Sequence, residues 1–249
     1  MQRVAALYDI HGNLPALEAV IGELRRTGVD QIVVGGDVVS GPMPRETLDA
    51  LLSLDVPTQF IMGNADEEVI AQMRGIETSN VPAAFRETVR WVAGQLPEKS
   101  GQVIAAWPTT IRMEIEGIGG VLFCHATPRN NTEIFTRLTP DAVLAPLFTG
   151  LDVALVVCGH THMQFDRAIG SIRVVNAGSV GMPYGAAGAY WLLLDSGIDL
   201  RRTDYDLAAA AERVRASGYP MADDFADNNI RHPASEDEAL AVFTKAQLK

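Results

Sequence analysis

Seven residues able to bind a metal ion stand in five short segments: Asp9-Ile-His11, Gly36-Asp37, Gly63-Asn64, Cys124-His125 and Gly159-His160-Thr-His162. The chain has five histidines, and four of them fall here, each beside an apolar run of β-forming residues. Carboxylate, amide and imidazole make a mixed oxygen and nitrogen donor set. Such a set suits Mn, Fe, Zn, Ni or Co and is poor for calcium, which takes oxygen alone. Seven donors with a carboxylate that can be shared favour two divalent ions ~3.5–4 Å apart over one. Each segment alone could be a turn or a strand end; all five in this order carry the reading.

Rigid elements must aim these side chains at one point. Apolar runs at Val4 to Tyr8, Gln31 to Val34 and Pro57 to Met62 alternate with amphipathic segments at Leu14 to Arg26 and Arg45 to Leu54, a β-α-β-α-β pattern. Helical crossovers of this length imply parallel strands, whose sites lie beyond the carboxyl ends. Asp9, Asp37 and Asn64 fall there. Asn13 before Leu14-Pro15 reads as a helix cap with proline in the first turn, although its place beside Asp9-Ile-His11 also makes it a candidate substrate contact.

Residues 67 to 100 read as helical and more polar, with a break near Ser79-Asn80-Val81-Pro82, and are expected to wall the substrate site. Past Trp107-Pro108 the strands come closely spaced, from Ile111 to Glu116 as far as Asp199 to Thr203, joined by turns such as Gly170-Ser171 and Asp195-Ser-Gly197. A second, largely antiparallel sheet is expected there. Leu207 to Ser217 and Asp223 to Lys249 read as helical and acidic. The expectation is one domain over residues 1–249, with a helical insert at about 67–100 and an acidic helical segment at about 207–249.

With 249 residues, 47% of them hydrophobic, the chain can bury a large core. Its net charge of −11 argues against binding a nucleic-acid polymer or an anionic membrane, both of which need basic stripes. A small anionic substrate stays compatible, because a pair of metal ions supplies its own positive field. The opening residues pass into a strand-like run without a cationic leader, and no apolar window reaches the ~18 residues of a membrane span, so the expected location is the cytoplasm. Cys124 and Cys158 end apolar runs and read as packed thiols.

The motif order Asp9-Ile-His11, Gly36-Asp37-Val-Val-Ser-Gly41, Gly63-Asn64-Ala-Asp66, His125 and Gly159-His160-Thr-His162 resembles the calcineurin-like metallophosphoesterase family. Asp9-Ile-His-Gly-Asn13, His125-Ala-Thr-Pro128 and Asn176-Ala-Gly-Ser179 are similar to its small bacterial and archaeal phosphodiesterase branch. The likeness runs from residue 3 to about 206. It implies an α/β fold, a four-layer αββα sandwich of two mixed β-sheets flanked by helices, with the metal site at the strand ends. It also implies that Asp9, His11 and His162 hold one ion, that Asn64, His125 and His160 hold the second, and that Asp37 bridges them. Asp37, Asn64 and His125 thereby stand at the reacting centre, and manganese is the first expectation among the metals.

The expected reaction is metal-dependent hydrolysis of a small phosphodiester or nucleotide by a hydroxide bridging the two ions. Two divalent cations set against two aspartates and that hydroxide leave a single positive charge, which a diester monoanion neutralises and a monoester dianion exceeds. Arg129 could add a charge if it points inward, or could be a solvated loop residue. Many relatives carry a histidine after the asparagine ligand; here the residue is Ala65, which removes general-acid help typically worth ~10²–10⁴-fold. Asp66, which follows, is a candidate substrate contact, and could also cap the next helix or support the site from behind. A phosphomonoesterase or dinucleoside polyphosphate hydrolase is the alternative within the same chemistry, and a non-catalytic binding scaffold the alternative outside it.

Overall fold

The computed structural model describes residues 2–77, 81–246 and 248. Ser79 and Asn80, half of the expected break in the helical insert, lie outside them. The first strand, β1 (Val4–Leu7), is wholly buried. Alternate residues of a strand point to opposite faces, and here Ala5 and Leu7 pack among helices while Val4, Ala6 and Tyr8 face a second sheet. After it, α1 (Leu14–Thr27) opens on Asn13, whose side chain accepts the Ala16 N–H, and closes on left-handed Gly28. Then come β2 (Gln31–Val34), α2 (Pro44–Leu52), β3 (Thr58–Phe60) and three further helices, α3 (Asn64–Met73), α4 (Arg86–Gln95) and α5 (Glu98–Ala105). The next elements are β4 (Thr110–Ile115), β5 (Gly119–Cys124), α6 (Asp141–Phe148), β6 (Leu155–Cys158), β7 (Phe165–Ile169) and β8 (Ile172–Asn176). The chain then forms β9 (Ala189–Leu194), β10 (Ile198–Thr203), α7 (Leu207–Arg215), α8 (Ala222–Phe225) and α9 (Glu236–Ala246).

Two five-stranded sheets result, ordered β10-β9-β1-β2-β3 and β4-β5-β6-β8-β7. Both are mixed, and the second departs from the expected, largely antiparallel one in two ways. Its central pairs β5–β6 and β6–β8 are parallel, with α6 lying between β5 and β6 in the chain. The last two strands do not belong to it: β9 lies antiparallel to β1 and extends the first sheet. A tight turn specifies that β9 and β10 pair with each other, whereas the sheet they join is settled by burial of Trp191 and Leu193 against α1 and its neighbours.

Three apolar layers hold the sandwich. Leu17, Val20, Leu48, Val69 and Val92 pack helices on the outer face of the first sheet. Between the sheets Tyr8 and Val33 meet Phe123, Val157 and Val175, and the Tyr8 hydroxyl spans the gap to donate to the Val157 carbonyl at 3.1 Å. On the far face, Leu144 and Phe148 of α6 cover the second sheet beside Cys124 and Cys158. Both thiols are free and buried, and burial pushes both up from the ordinary thiol value. They are packing residues. No helix among the described residues is long and apolar enough to cross a membrane.

Candidate metal centre

Each of β1, β2, β5 and β6 ends where the two sheets share a rim, and the chain there turns abruptly. Asp9, His11, Asp37, His160 and His162 all have φ between 49° and 66°, the left-handed region. That conformation is uncommon outside glycine, and each such residue costs on the order of 1–3 kcal/mol unless its surroundings hold it. Only one other described non-glycine residue, Leu248 near the carboxyl end, shares it. Backbone strain therefore collects on the residues expected to bind metal. The sharp turn aims Asp9 and His11, two residues apart, into one space.

The structure brings all seven expected ligands together. Ligand atoms of Asp9, His11 and His162 lie within 4.8 Å of one another, and so do those of Asp37, His125 and His160. Asp37 Oδ2 stands between the groups, 3.7 Å from His11 Nε2 and 3.6 Å from His125 Nε2. Its other oxygen accepts the Ala65 N–H at 2.8 Å, which fixes the carboxylate plane. Asn64 Oδ1 lies 3.1 Å from His125 Nε2. Turned over, the same amide would offer its NH2 to His160 Nδ1, His125 Nε2 and the Asn131 carbonyl at 3.0–3.2 Å. One orientation suits a cation and the other a hydrogen-bonded, metal-free site.

Backbone carbonyls orient the rings from behind. His11 Nδ1 meets Ser40 O at 3.1 Å, His125 Nδ1 meets Gly35 O at 2.8 Å and His162 Nδ1 meets Met182 O at 2.7 Å. With Nδ1 as donor in each, Nε2 keeps its lone pair for the centre, the usual support of a metal-binding histidine. His11 Nε2 and His162 Nε2 then face each other at 3.2 Å.

The electrostatics match a site built for positive charge. Burial pushes the Asp9 carboxyl up, but His162, His125 and His11 outweigh it and hold that carboxyl well below the usual carboxylate range. Burial works against charge on His162 and His125, yet Asp9 beside the first and Asp37 with Asp9 beside the second raise both. His160 is pushed down to about 4 by burial and then by His125, and burial also lowers His11. Asp9 Oδ1 is buried without a hydrogen-bond partner. A buried carboxylate oxygen with no hydrogen bond, 3.4 Å from His162 Nε2 and 3.9 Å from His125 Nε2, is what a bound cation would satisfy, so the donor set fits a metal.

Metal added to metal-free protein at about 100 times its dissociation constant is expected to stabilise the fold by ~2.7 kcal/mol, raising Tm by about 5–11 °C. Thermal scans against metal concentration check this. A flat Tm with two ions bound per chain contradicts the fit.

Several residues that hold the site carry no sign of it in their own chemistry. Asn176 Nδ2 donates to Gly159 O at 2.6 Å and to Thr161 Oγ1 at 3.1 Å, clamping the turn that carries His160 and His162. Ser179 Oγ donates to the Asp9 carbonyl at 2.7 Å. Both belong to Asn176-Ala-Gly-Ser179, a stretch visible in the sequence as a motif but without an assigned task. Asn176→Ala is expected to lower metal affinity by ~10–100-fold while the chain still folds, as read by calorimetric titration alongside circular dichroism. Unchanged affinity would remove Asn176 from the support of the site.

The remaining expected residues lie outside the cluster. Asn13 is buried, and its amide is used by Ala16 N, Gly181 O and Tyr205. Asp66 sits one layer behind Asp37: its carboxylate accepts N–H groups from Val38 at 2.9 Å, Val39 at 3.2 Å and Gly63 at 3.3 Å. It thus caps α3 and shapes the Asp37 loop together, joining the two supporting roles that the sequence left open. Arg129 does not aim a free charge inward, because its guanidinium pairs with Glu133 while the side chain stays largely exposed.

A two-sheet α/β sandwich with carboxylate, amide and imidazole donors on a shared rim defines the class: an α/β protein with a candidate centre for two metals. The chain belongs to the calcineurin-like phosphoesterase superfamily, whose domain profile matches residues 2–197. It is 28% identical over 237 residues to an uncharacterised protein of Methanocaldococcus jannaschii, covering 87% of this chain and 93% of that one. A metallophosphoesterase from Sphaerobacter thermophilus is similar in structure at a TM-score of 0.70 and 26% identity, covering 91% of this chain and 97% of that one. A hypothetical protein from Pyrococcus horikoshii shares the fold at a TM-score of 0.79 and 19% identity, over 94% of this chain and 100% of that one. The family is metal-dependent and acts on phosphoesters.

Proposed function

We propose that this chain hydrolyses small phosphodiesters at a dinuclear centre, with Asp9, His11 and His162 around one ion, Asn64, His125 and His160 around the other, and Asp37 shared. The observation that carries the reading is the convergence of both donor groups on Asp37, with the ring Nε2 atoms of His11, His125 and His162 facing inward. Two divalent ions, when bound, supply an acidified water near neutral pH and withdraw charge from phosphoryl oxygens. The chain's own part is orientation: three carbonyls fix three rings, and the Ala65 N–H fixes Asp37.

One feature favours a diester. Glu133 neutralises Arg129, so no free arginine is added to the single positive charge that balances a diester monoanion. Ala65 offers no side-chain proton, which bears on the leaving group and not on the choice between diester and monoester: substrates whose alcohol leaves without protonation are expected. Protein loaded with Mn, the first choice, or with Ni or Co is expected to turn over bis(4-nitrophenyl) phosphate faster than 4-nitrophenyl phosphate. Absence of turnover with every metal, in protein holding two ions per chain, would overturn the reading; faster monoester turnover would overturn the diester preference.

A further inference from the structure

Beside the metal centre lies a cavity of about 200 Å³ with His11 and Ser40 in its wall. A larger one, about 490 Å³ and lined by Met73, Leu96 and Gln102, touches no metal-centre residue, so position rather than size singles out the first. His11 is one of the expected ligands and also lines this cavity, so the two spaces adjoin at its ring. About 150 Å³ is enough for a benzene ring, which makes the space ring-sized.

Its lining is specific in chemistry. Val81, Phe85 and Val89 face it from the segment around the start of α4, and Met182, Met221 and Phe225 from the other side. Phe85 is 48% exposed, an apolar ring left uncovered at this cavity. The acidic side chains are Glu68 and Asp224, and no lysine or arginine is among the described lining residues. Burial, then Asp37 and Glu67, push Glu68 up to about 7. Asp224 accepts a hydrogen bond only from Asn228 among the described residues. Met221, Asp224 and Phe225 lie in the carboxyl-terminal helical segment, beyond residues 2–197 that the family profile matches.

We infer that this cavity receives a ring-sized apolar substituent of the phosphoester, uncharged or bearing an amine, and rejects an anionic one. The inference rests on the phosphodiesterase reading for the position of the phosphoryl group. It disfavours dinucleoside polyphosphates, which would place a second phosphate chain beside two carboxylates and apolar walls.

The test uses binding. Methyl benzylphosphonate, its 4-aminomethyl and 4-carboxy analogues, and methyl methylphosphonate are titrated into Mn-loaded protein at pH 8 by calorimetry. The amine analogue is expected to bind on the order of tenfold more tightly than the carboxylate, and Glu68→Gln combined with Asp224→Asn should close that gap. Phe85→Ala should weaken the benzyl ligands and leave methyl methylphosphonate unchanged. Equal affinities across the set, no binding of the benzyl ligands, or variants that shift all four ligands alike would overturn the inference. Turnover of bis(4-nitrophenyl) phosphate by the same preparation separates the two ideas. Turnover without discrimination defeats the cavity assignment alone, and discrimination without turnover defeats hydrolysis alone.

Discussion

Asp37→Asn is expected to reduce phosphodiester turnover by about three orders of magnitude or more, a loss of ~4 kcal/mol of transition-state stabilisation. Asparagine can keep the bond from Ala65 N, because its carbonyl oxygen replaces Oδ1 at 2.8 Å. It also tolerates the left-handed φ of 53°. What it loses is the second oxygen. An NH2 would then stand 3.7 Å from His11 Nε2 and 3.6 Å from His125 Nε2, where the proposed bridge calls for a shared anion. The defect should therefore appear in metal content and rate and leave the fold intact. Elemental analysis should find fewer than two ions per chain, while the Tm of metal-free protein stays within a few degrees of the parent. Full activity in the variant would mean that the bridge lies elsewhere.

Gly41→Ala is expected to be strongly destabilising for so small a substitution. A Cβ at Gly41 would sit 1.8 Å from the His11 carbonyl oxygen and 2.5 Å from its carbonyl carbon. Those are backbone atoms and cannot swing aside. The contact is mutual, since a Cβ on Gly12 would meet the Gly41 carbonyl carbon at 2.8 Å with φ already at +59°. Two loops thus pack main chain to main chain, and the loop that must yield carries His11. Separating them should cost ~3 kcal/mol or more, a fall in Tm of about 6–12 °C. Metal affinity should fall with it. Gly22→Ala is the control: it lies inside α1 with only an Arg26 guanidinium nitrogen at 3.6 Å, so it should be neutral or mildly stabilising. Equal effects of the two substitutions in thermal scans would refute the steric argument.

The cluster of donor residues was legible because each donor ends a short apolar run, and a strand end is a local pattern that sequence displays. Its support was less so. Ser40, Gly35 and Met182 orient histidines through their carbonyls, and every residue has a carbonyl, so identity gives no hint. Strand neighbours joined by turns could be read, but not that β9 would cross back to β1, since the choice between sheets depends on which face buries Trp191. Helix α6 escaped notice because Pro140 precedes it and Pro146 lies within it, interrupting the periodic pattern. Asp66 was readable only as a choice among roles because its partners, Val38 and Val39, come from a different loop.

The division of donors between the sheets has a mechanical meaning. Asp9, His11, Asp37 and Asn64 follow strands of one sheet, whereas His125, His160 and His162 follow strands of the other. Each proposed ion would therefore pass a tie through both plates, and neither plate could hold it alone. The Tyr8 hydroxyl on Val157 O is a nearby strut across the same gap. Ion affinity in such an arrangement gauges the spacing between the plates: a methyl group added or removed in the layer between them, far from any donor, would reach the rim as a change in the gap the ions must bridge.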